Sequence, residues 1–215
     1  MLTILDKQNS IYNHFIAELR DIDVQKDSMR FRRNIERIGE LFAYEISKKL
    51  NYKIEEVTTP LGKAKVNLLV QQPVIATILR AGLPLHNGLL NYFDKAENAF
   101  VAAFRKHHDD GSFDVEVNYM ACPDLTNKTL ILCDPMLATG TSMHLVYKQL
   151  LKRGNPAQTH VVSVIASEEA VKYVSDTFPA NTNFWIGSVD KELNNNAYIV
   201  PGLGDAGDLA FGEKL

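Results

Sequence analysis

Leu130-Ile-Leu-Cys-Asp-Pro-Met-Leu-Ala-Thr-Gly-Thr-Ser142 puts an apolar run, a carboxylate and a cluster of small hydroxyl residues in direct succession. The run from Thr129 to Cys133 predicts a buried strand. Thr139, Gly140, Thr141 and Ser142 follow just before a predicted helix. There backbone N–H groups and hydroxyls converge, and the helix macrodipole favours negative charge. The pattern is that of a phosphate-binding loop, with Asp134 at the strand's mouth placed to hold a hydroxyl-rich group beside the phosphate. An ordinary strand-turn-helix corner with a capping Thr or Ser would read the same from Thr-Gly-Thr-Ser alone.

Working outward, the chain alternates helix and strand. Phe31, Ile35, Ile38, Phe42, Ile46 and Leu50 recur at helical spacing and predict one long amphipathic helix over 28–50. Segments 53–58 and 63–70, around Pro60 and Gly62, predict a hairpin on the edge of the domain. Pro73 to Leu79 is a continuous apolar run that turns through Arg80-Ala-Gly-Leu-Pro84 into a helix reaching about Tyr92. Ala99 to Phe104 predicts a strand that ends at Arg105. Phe113, Val115, Val117 and Tyr119 alternate with polar residues, and Asp110-Gly111 between the two is a hairpin turn signal. Helices over 143–153 and 168–178 and strands over 160–166 and 183–189 complete the pattern.

Apolar strands joined through helices imply an α/β fold, a parallel sheet covered on both faces, and ligands in such sheets collect at the carboxyl ends of the strands. Arg80, Arg105 and Asp134 each follow a predicted strand, so three chain segments are expected to bring two cations and one anion to the same rim. Far along the chain, Tyr198-Ile-Val-Pro-Gly-Leu-Gly-Asp-Ala-Gly-Asp208 describes a tightly bent loop whose backbone amides and carbonyls are open to a flat ligand.

Composition narrows the function classes. With 215 residues and 46% hydrophobic content the chain can bury a full core as a single domain over 1–215. A net charge of −3 and a pI near 6.1 argue against nucleic acid as a partner. Cys122 and Cys133 lack metal-ligand spacing and read as reduced core thiols. No signal-peptide pattern or membrane-length apolar run stands out, so a cytoplasmic protein without membrane association is expected. A dinucleotide-binding domain is disfavoured because no GxGxxG follows a strand.

Asp134-Pro-Met-Leu-Ala-Thr-Gly-Thr-Ser142 resembles the ribose-phosphate loop of the uracil phosphoribosyltransferases, with Pro135 and Ala138 standing where the wider superfamily has further acids. Tyr198–Asp208 resembles that family's uracil-binding signature, and the likeness runs from Met29-Arg-Phe-Arg32 and Ala43-Tyr-Glu45 to Phe211-Gly212. The resemblance implies a type I phosphoribosyltransferase fold with a flap hairpin over about 106–121 and a C-terminal uracil-binding hood over about 190–215. It implies conversion of uracil and 5-phospho-α-D-ribose 1-diphosphate (PRPP) into UMP and diphosphate in pyrimidine salvage. Carried over by position, Arg80, Arg105, Asp134, Pro135, Met136, Leu137, Ala138, Thr139, Gly140, Thr141, Ser142 and Asp205 are expected to meet PRPP. Ile199, Gly204, Asp205 and Ala206 are expected to meet uracil, and Asp134, Arg105 and Asp205 to act in catalysis. Mg²⁺ bound mainly through PRPP rather than by a protein cage, GTP as an activator, and a homo-oligomer, dimer or tetramer, are implied in the same way.

Three positions depart from the family pattern: Thr141 where a second glycine is usual, Pro84 where the loop after Arg80 carries another glycine, and Leu209 where a basic residue is usual. No His or Glu argues for a general base, and His107 with His108 reads as a solvated pair. The competing readings are a non-catalytic regulator that senses nucleotides and binds RNA, and a phosphoribosyltransferase for another base. The first should show a basic face, and the Gly204-Asp205-Ala206 loop disfavours the second.

Overall fold

The computed structural model describes residues 1–107 and 113–214, and side chains outside 104–116. In chain order the elements are β1 (Leu2–Ile4), α1 (Tyr12–Arg20), α2 (Ser28–Ser47), β2 (Tyr52–Thr59), β3 (Gly62–Leu69), β4 (Val74–Leu79), α3 (Leu83–Leu90), β5 (Glu97–His107) and β6 (Phe113–Ala121). They continue with β7 (Thr129–Cys133), β8 (Met136–Leu137), α4 (Thr141–Leu150), β9 (Gln158–Ser167), α5 (Glu168–Thr177), β10 (Asn183–Asp190), β11 (Glu192–Leu193), β12 (Ile199–Val200) and α6 (Ala206–Phe211).

The main sheet runs β1-β10-β9-β7-β4-β5-β6, with β8 added against β9. Its pairings are parallel except at the β5–β6 edge, which is antiparallel. The interior strands explain the doubly covered arrangement. In β4, Val74, Ala76 and Ile78 enter one apolar cluster and Ile75 the other; in β7, Leu130 and Leu132 part in the same way from Ile131 and Cys133. A strand that presents apolar residues on both faces can be satisfied only when helices cover both faces of the sheet. On one side α2 presents Phe31, Ile35, Ile38, Phe42 and Ile46, each at most 1% exposed. Each such side chain contributes about 1.5–3 kcal/mol of burial. Asp27 starts this helix by accepting from the amides of Met29 and Arg30 at 3.0 Å. On the other side α4 and α5 contribute Met143, Val146, Leu150, Ala170 and Val174.

Two expectations need adjusting. The strand that was to end at Arg105 continues to His107, so Arg105 lies inside β5 opposite Val115. The antiparallel ladder with β6 carries the backbone on past the last apolar residue. The loop expected over Tyr198–Asp208 ends early, because Ala206–Phe211 forms α6, capped by the Asp205 carboxylate at 2.8 and 3.0 Å from the amides of Gly207 and Asp208. The Asp110-Gly111 turn lies outside the described residues, as does the centre of the expected flap. The segments 53–58 and 63–70 do form a hairpin, β2–β3, a two-stranded sheet separate from the main one.

His160 of β9 is fully buried, with Nδ1 2.9 Å from the indole Nε1–H of Trp185 on β10. Nδ1 must accept that bond, so the ring is held neutral with its proton on Nε2. Burial lowers its pKa from the ordinary 6.5 to about 4. Between these values the unfolded chain binds more protons than the folded one, so stability is complete above pH 6.5 and falls as the pH drops toward 4. The gap is worth on the order of 3 kcal/mol. Urea midpoints measured from pH 7 to 4 should therefore decline in wild type and decline far less in His160→Gln; equal slopes would contradict this account of the ring.

Candidate active site

A cleft of about 1210 Å³ opens at the carboxyl ends of β4 and β7, beside Ala102 and Ala103 within β5. Its wall combines Arg80 and Ala81 after β4, Ala102 and Ala103 of β5, Asp134 after β7, the stretch from Met136 to Gly140 with Ser142, and Gly204 to Gly207.

The 134–142 loop owes its shape to a few local contacts. The Asp134 amide donates to Val162 O at 3.1 Å, and Asp134 Oδ1 lies 3.5 Å from the Met136 amide. Met136 and Leu137 then pair with Ile165 and Ala166 as β8, which holds the loop against β9. Ser167 Oγ donates to Ala138 O at 2.6 Å from the far side. Gly140 takes φ +80°, a left-handed conformation, and precedes α4 with no side-chain cap on the helix. A Cβ there would lie 2.8 Å from Tyr173 Cδ1 and 3.0 Å from Val174 Cγ1. Thr139 Oγ1 meets Thr141 Oγ1 at 3.1 Å and the Thr141 amide at 3.4 Å. The result is a ten-residue helix whose first turn carries no acidic side chain and faces the cleft, the geometry suited to an anion.

The opposite wall is anchored from a distance. Arg20 on α1 makes a two-pronged pair with Asp190 at 2.7 and 2.8 Å and also donates to Gly202 O at 3.0 Å. Asp190 in turn accepts from the Gly202 amide at 3.0 Å. Gly202, at φ +60°, has no room for a side chain, since a Cβ would sit 2.0 Å from Ile199 O. Ile199 itself is 3% exposed and pairs with Leu193 beneath the loop, so its side chain braces the wall from within the core. From that base Gly204, Asp205 and Ala206 reach the cleft.

Arg80 crosses between the two walls. Its Nη2 lies 2.9 Å from Asp208 Oδ1 and its Nη1 3.2 Å from Gly212 O. The structure thus brings together Arg80, Asp134, the loop to Ser142 and the Gly204–Ala206 segment at the cleft, whereas Pro135, Thr141 and Ile199 adjoin cleft residues in the chain without lining it. The side chain of Arg105 lies outside the described residues. Sequence reasoning missed the turn at Asn195 to Tyr198, whose Asn194 side chain accepts from the amides of Asn196 and Tyr198 at 3.0 and 2.9 Å. The run Asn194-Asn195-Asn196 was the available signal, since Asn favours such turns. Lys214, which also lines the cleft, carried no signal at all.

Comparison with known proteins bears on the fold and the family. The chain aligns with a hypoxanthine phosphoribosyltransferase of Staphylococcus aureus at a TM-score of 0.51 and 14% identity, over 75% of this chain and 76% of that one, a likeness of fold. The AQ2163 protein of Aquifex aeolicus aligns at a TM-score of 0.87 and 28% identity, over 99% and 98%. The architecture is therefore that of the type I phosphoribosyltransferases. The family model described as uracil phosphoribosyltransferase matches residues 7–213. A protein named uracil phosphoribosyltransferase in Porphyromonas gingivalis is 56% identical over 98% of each chain, and one of that name in Pyrococcus furiosus is 38% identical over 93% of this chain and 85% of that one. The chain belongs to the uracil phosphoribosyltransferase family.

Proposed function

We propose that this chain transfers the phosphoribosyl group of PRPP to uracil, releasing UMP and diphosphate. The observation that supports it best is a single cleft walled on one side by the open start of α4 and on the other by the Gly204–Ala206 segment. In this reading the amides and hydroxyls of Thr139 to Ser142 take the 5-phosphate, and Asp134 accepts from the ribose hydroxyls. Arg80 and Arg105 meet the diphosphate, for which the forked guanidinium is well shaped. The charge that develops on the departing diphosphate makes such fixed cations the main source of rate.

Uracil is read by backbone groups of Ile199, Gly204 and Ala206, with Asp205 alongside. Groups set to pair with two carbonyls and an N3–H meet the wrong donor in cytosine, and a buried mismatch costs about 1–3 kcal/mol. Mg²⁺ belongs to the same reading. The carboxylates on the cleft wall among the described residues are Asp134 and Asp205, a sparse donor set that suits an ion arriving with phosphate and water ligands. When bound, the ion supplies neutralisation of diphosphate charge. The proposal also includes a homo-oligomer, favoured by the β2–β3 hairpin, where Ile54 and Leu61 are 70% and 100% exposed. It includes the cytoplasm as the setting, in keeping with the free thiols of Cys122 and Cys133.

Incubation with labelled uracil, PRPP and Mg²⁺, with and without GTP as the proposed activator, should yield UMP and diphosphate in equal amounts. Cytosine should not react. No UMP at saturating substrates, or equal turnover of cytosine, would overturn the proposal.

A further inference from the structure

Among the described residues that line the cleft, two are cations, Arg80 and Lys214. Both terminal nitrogens of Arg80 are engaged by the chain itself, at Asp208 and Gly212. Lys214 is in a different state. Its ammonium stands 3.7 Å from Asp205 Oδ2, close enough for attraction and too far for a hydrogen bond, and its side chain is 62% exposed. Among the described residues, its three ammonium donors thus have one charge neighbour, Asp205, and no hydrogen bond that fixes their geometry.

The segment that carries Lys214 is held in place. Ala210 O accepts from Arg32 Nη1 at 2.6 Å, the Arg32 guanidinium lies 5.9 Å from the centre of the Phe211 ring, and Gly212 O is held by Arg80. Three successive residues before Glu213 are thus tied to α2 and to the loop after β4. Asp205 uses Oδ1 to cap α6, which leaves Oδ2 turned toward Lys214.

We propose that Lys214 binds the diphosphate of PRPP, standing between that group and the Asp205 side of the uracil wall; this rests on the function proposed above. An ammonium on a flexible stem can follow phosphate oxygens without a demanding angle, and its attraction grows as charge collects on the leaving diphosphate. Its removal should therefore appear in kcat/KM for PRPP and leave the KM for uracil in place.

The test compares wild type, Lys214→Gln and Lys214→Arg by steady-state kinetics in each substrate, by calorimetric titration with PRPP and Mg²⁺, and by thermal unfolding. Lys214→Gln should lose about ten-fold or more in kcat/KM for PRPP and in PRPP affinity. Its uracil KM and Tm should match wild type, and Lys214→Arg should recover most of the loss. Wild-type PRPP kinetics and affinity in Lys214→Gln would overturn the proposal, leaving the lysine as a surface ion pair. A parallel loss for both substrates with a lowered Tm would also overturn it, leaving a residue that only holds the loop. If wild type binds PRPP yet makes no UMP, the proposed function fails while the titrations still decide on Lys214; if wild type binds no PRPP, both fall.

Discussion

Gly140→Ala is expected to lower kcat/KM for PRPP by about a hundred-fold while the protein stays folded. The left-handed backbone at φ +80° costs a residue with a Cβ about 1–2 kcal/mol. The new methyl would also press within 2.8 Å of Tyr173 and 3.0 Å of Val174. Relief must come from a shift of the loop or of α5, and the loop moves more easily because it is open to the cleft. A displacement of about 1 Å in a group that positions substrate can cost about a hundred-fold in rate. Stability should fall only modestly, since roughly 2–4 °C of Tm accompanies each kcal/mol in a chain of this size. Steady-state kinetics and thermal unfolding check both halves, and wild-type kcat/KM would mean that the start of α4 does not hold the phosphate.

Arg80→Ala should raise the KM for PRPP roughly ten- to more than a hundred-fold, the range for losing one charge-assisted contact. A second effect comes with it. Asp208 and Gly212 O lose the partner that ties α6 and the chain after it to the loop after β4, so on the proposed reading of the Gly204–Ala206 wall the uracil KM should rise as well, though less. Arg80→Lys should restore little, because one ammonium cannot span both acceptors and a phosphate together. Unchanged PRPP kinetics in Arg80→Ala would place the diphosphate elsewhere.

The central part of the fold was legible in sequence because there one pattern served one purpose. β7 could be read from an unbroken apolar run, and α4 from the glycine and hydroxyls that precede it. α2 showed its buried stripe over twenty residues, long enough for the period to stand out. The shorter elements gave no such signal. α1 buries only Tyr12, Ile16 and Leu19 fully, with Phe15 partly buried beside them, and β1 is a three-residue edge strand whose place depends on β10. The end of β5 was misplaced because Lys106 and His107 lack apolar character, and only the backbone ladder with β6 keeps them in the strand.

The site divides in the same way. Asp134 to Ser142 and Gly204 to Ala206 are contiguous motifs, and the cleft receives both. What holds the Gly204–Ala206 wall could not be read, since Arg20 meets Asp190 across 170 positions and Arg80 meets Asp208 across 128. Such pairs join segments that only the completed sheet brings together. Asp205 was foreseen as a site residue but not as the cap of α6, because Gly-Asp-Ala-Gly-Asp reads as loop until a short helix is seen to follow.

A crystal structure of the protein with UMP tests the central claim most directly. The phosphate should lie against the amides of Thr139 to Ser142 at the start of α4, the ribose hydroxyls beside Asp134, and the uracil ring against Gly204 to Ala206, all within the one cleft. UMP bound outside that cleft, or reversed within it so that the base meets α4 and the phosphate meets Gly204, would contradict the account.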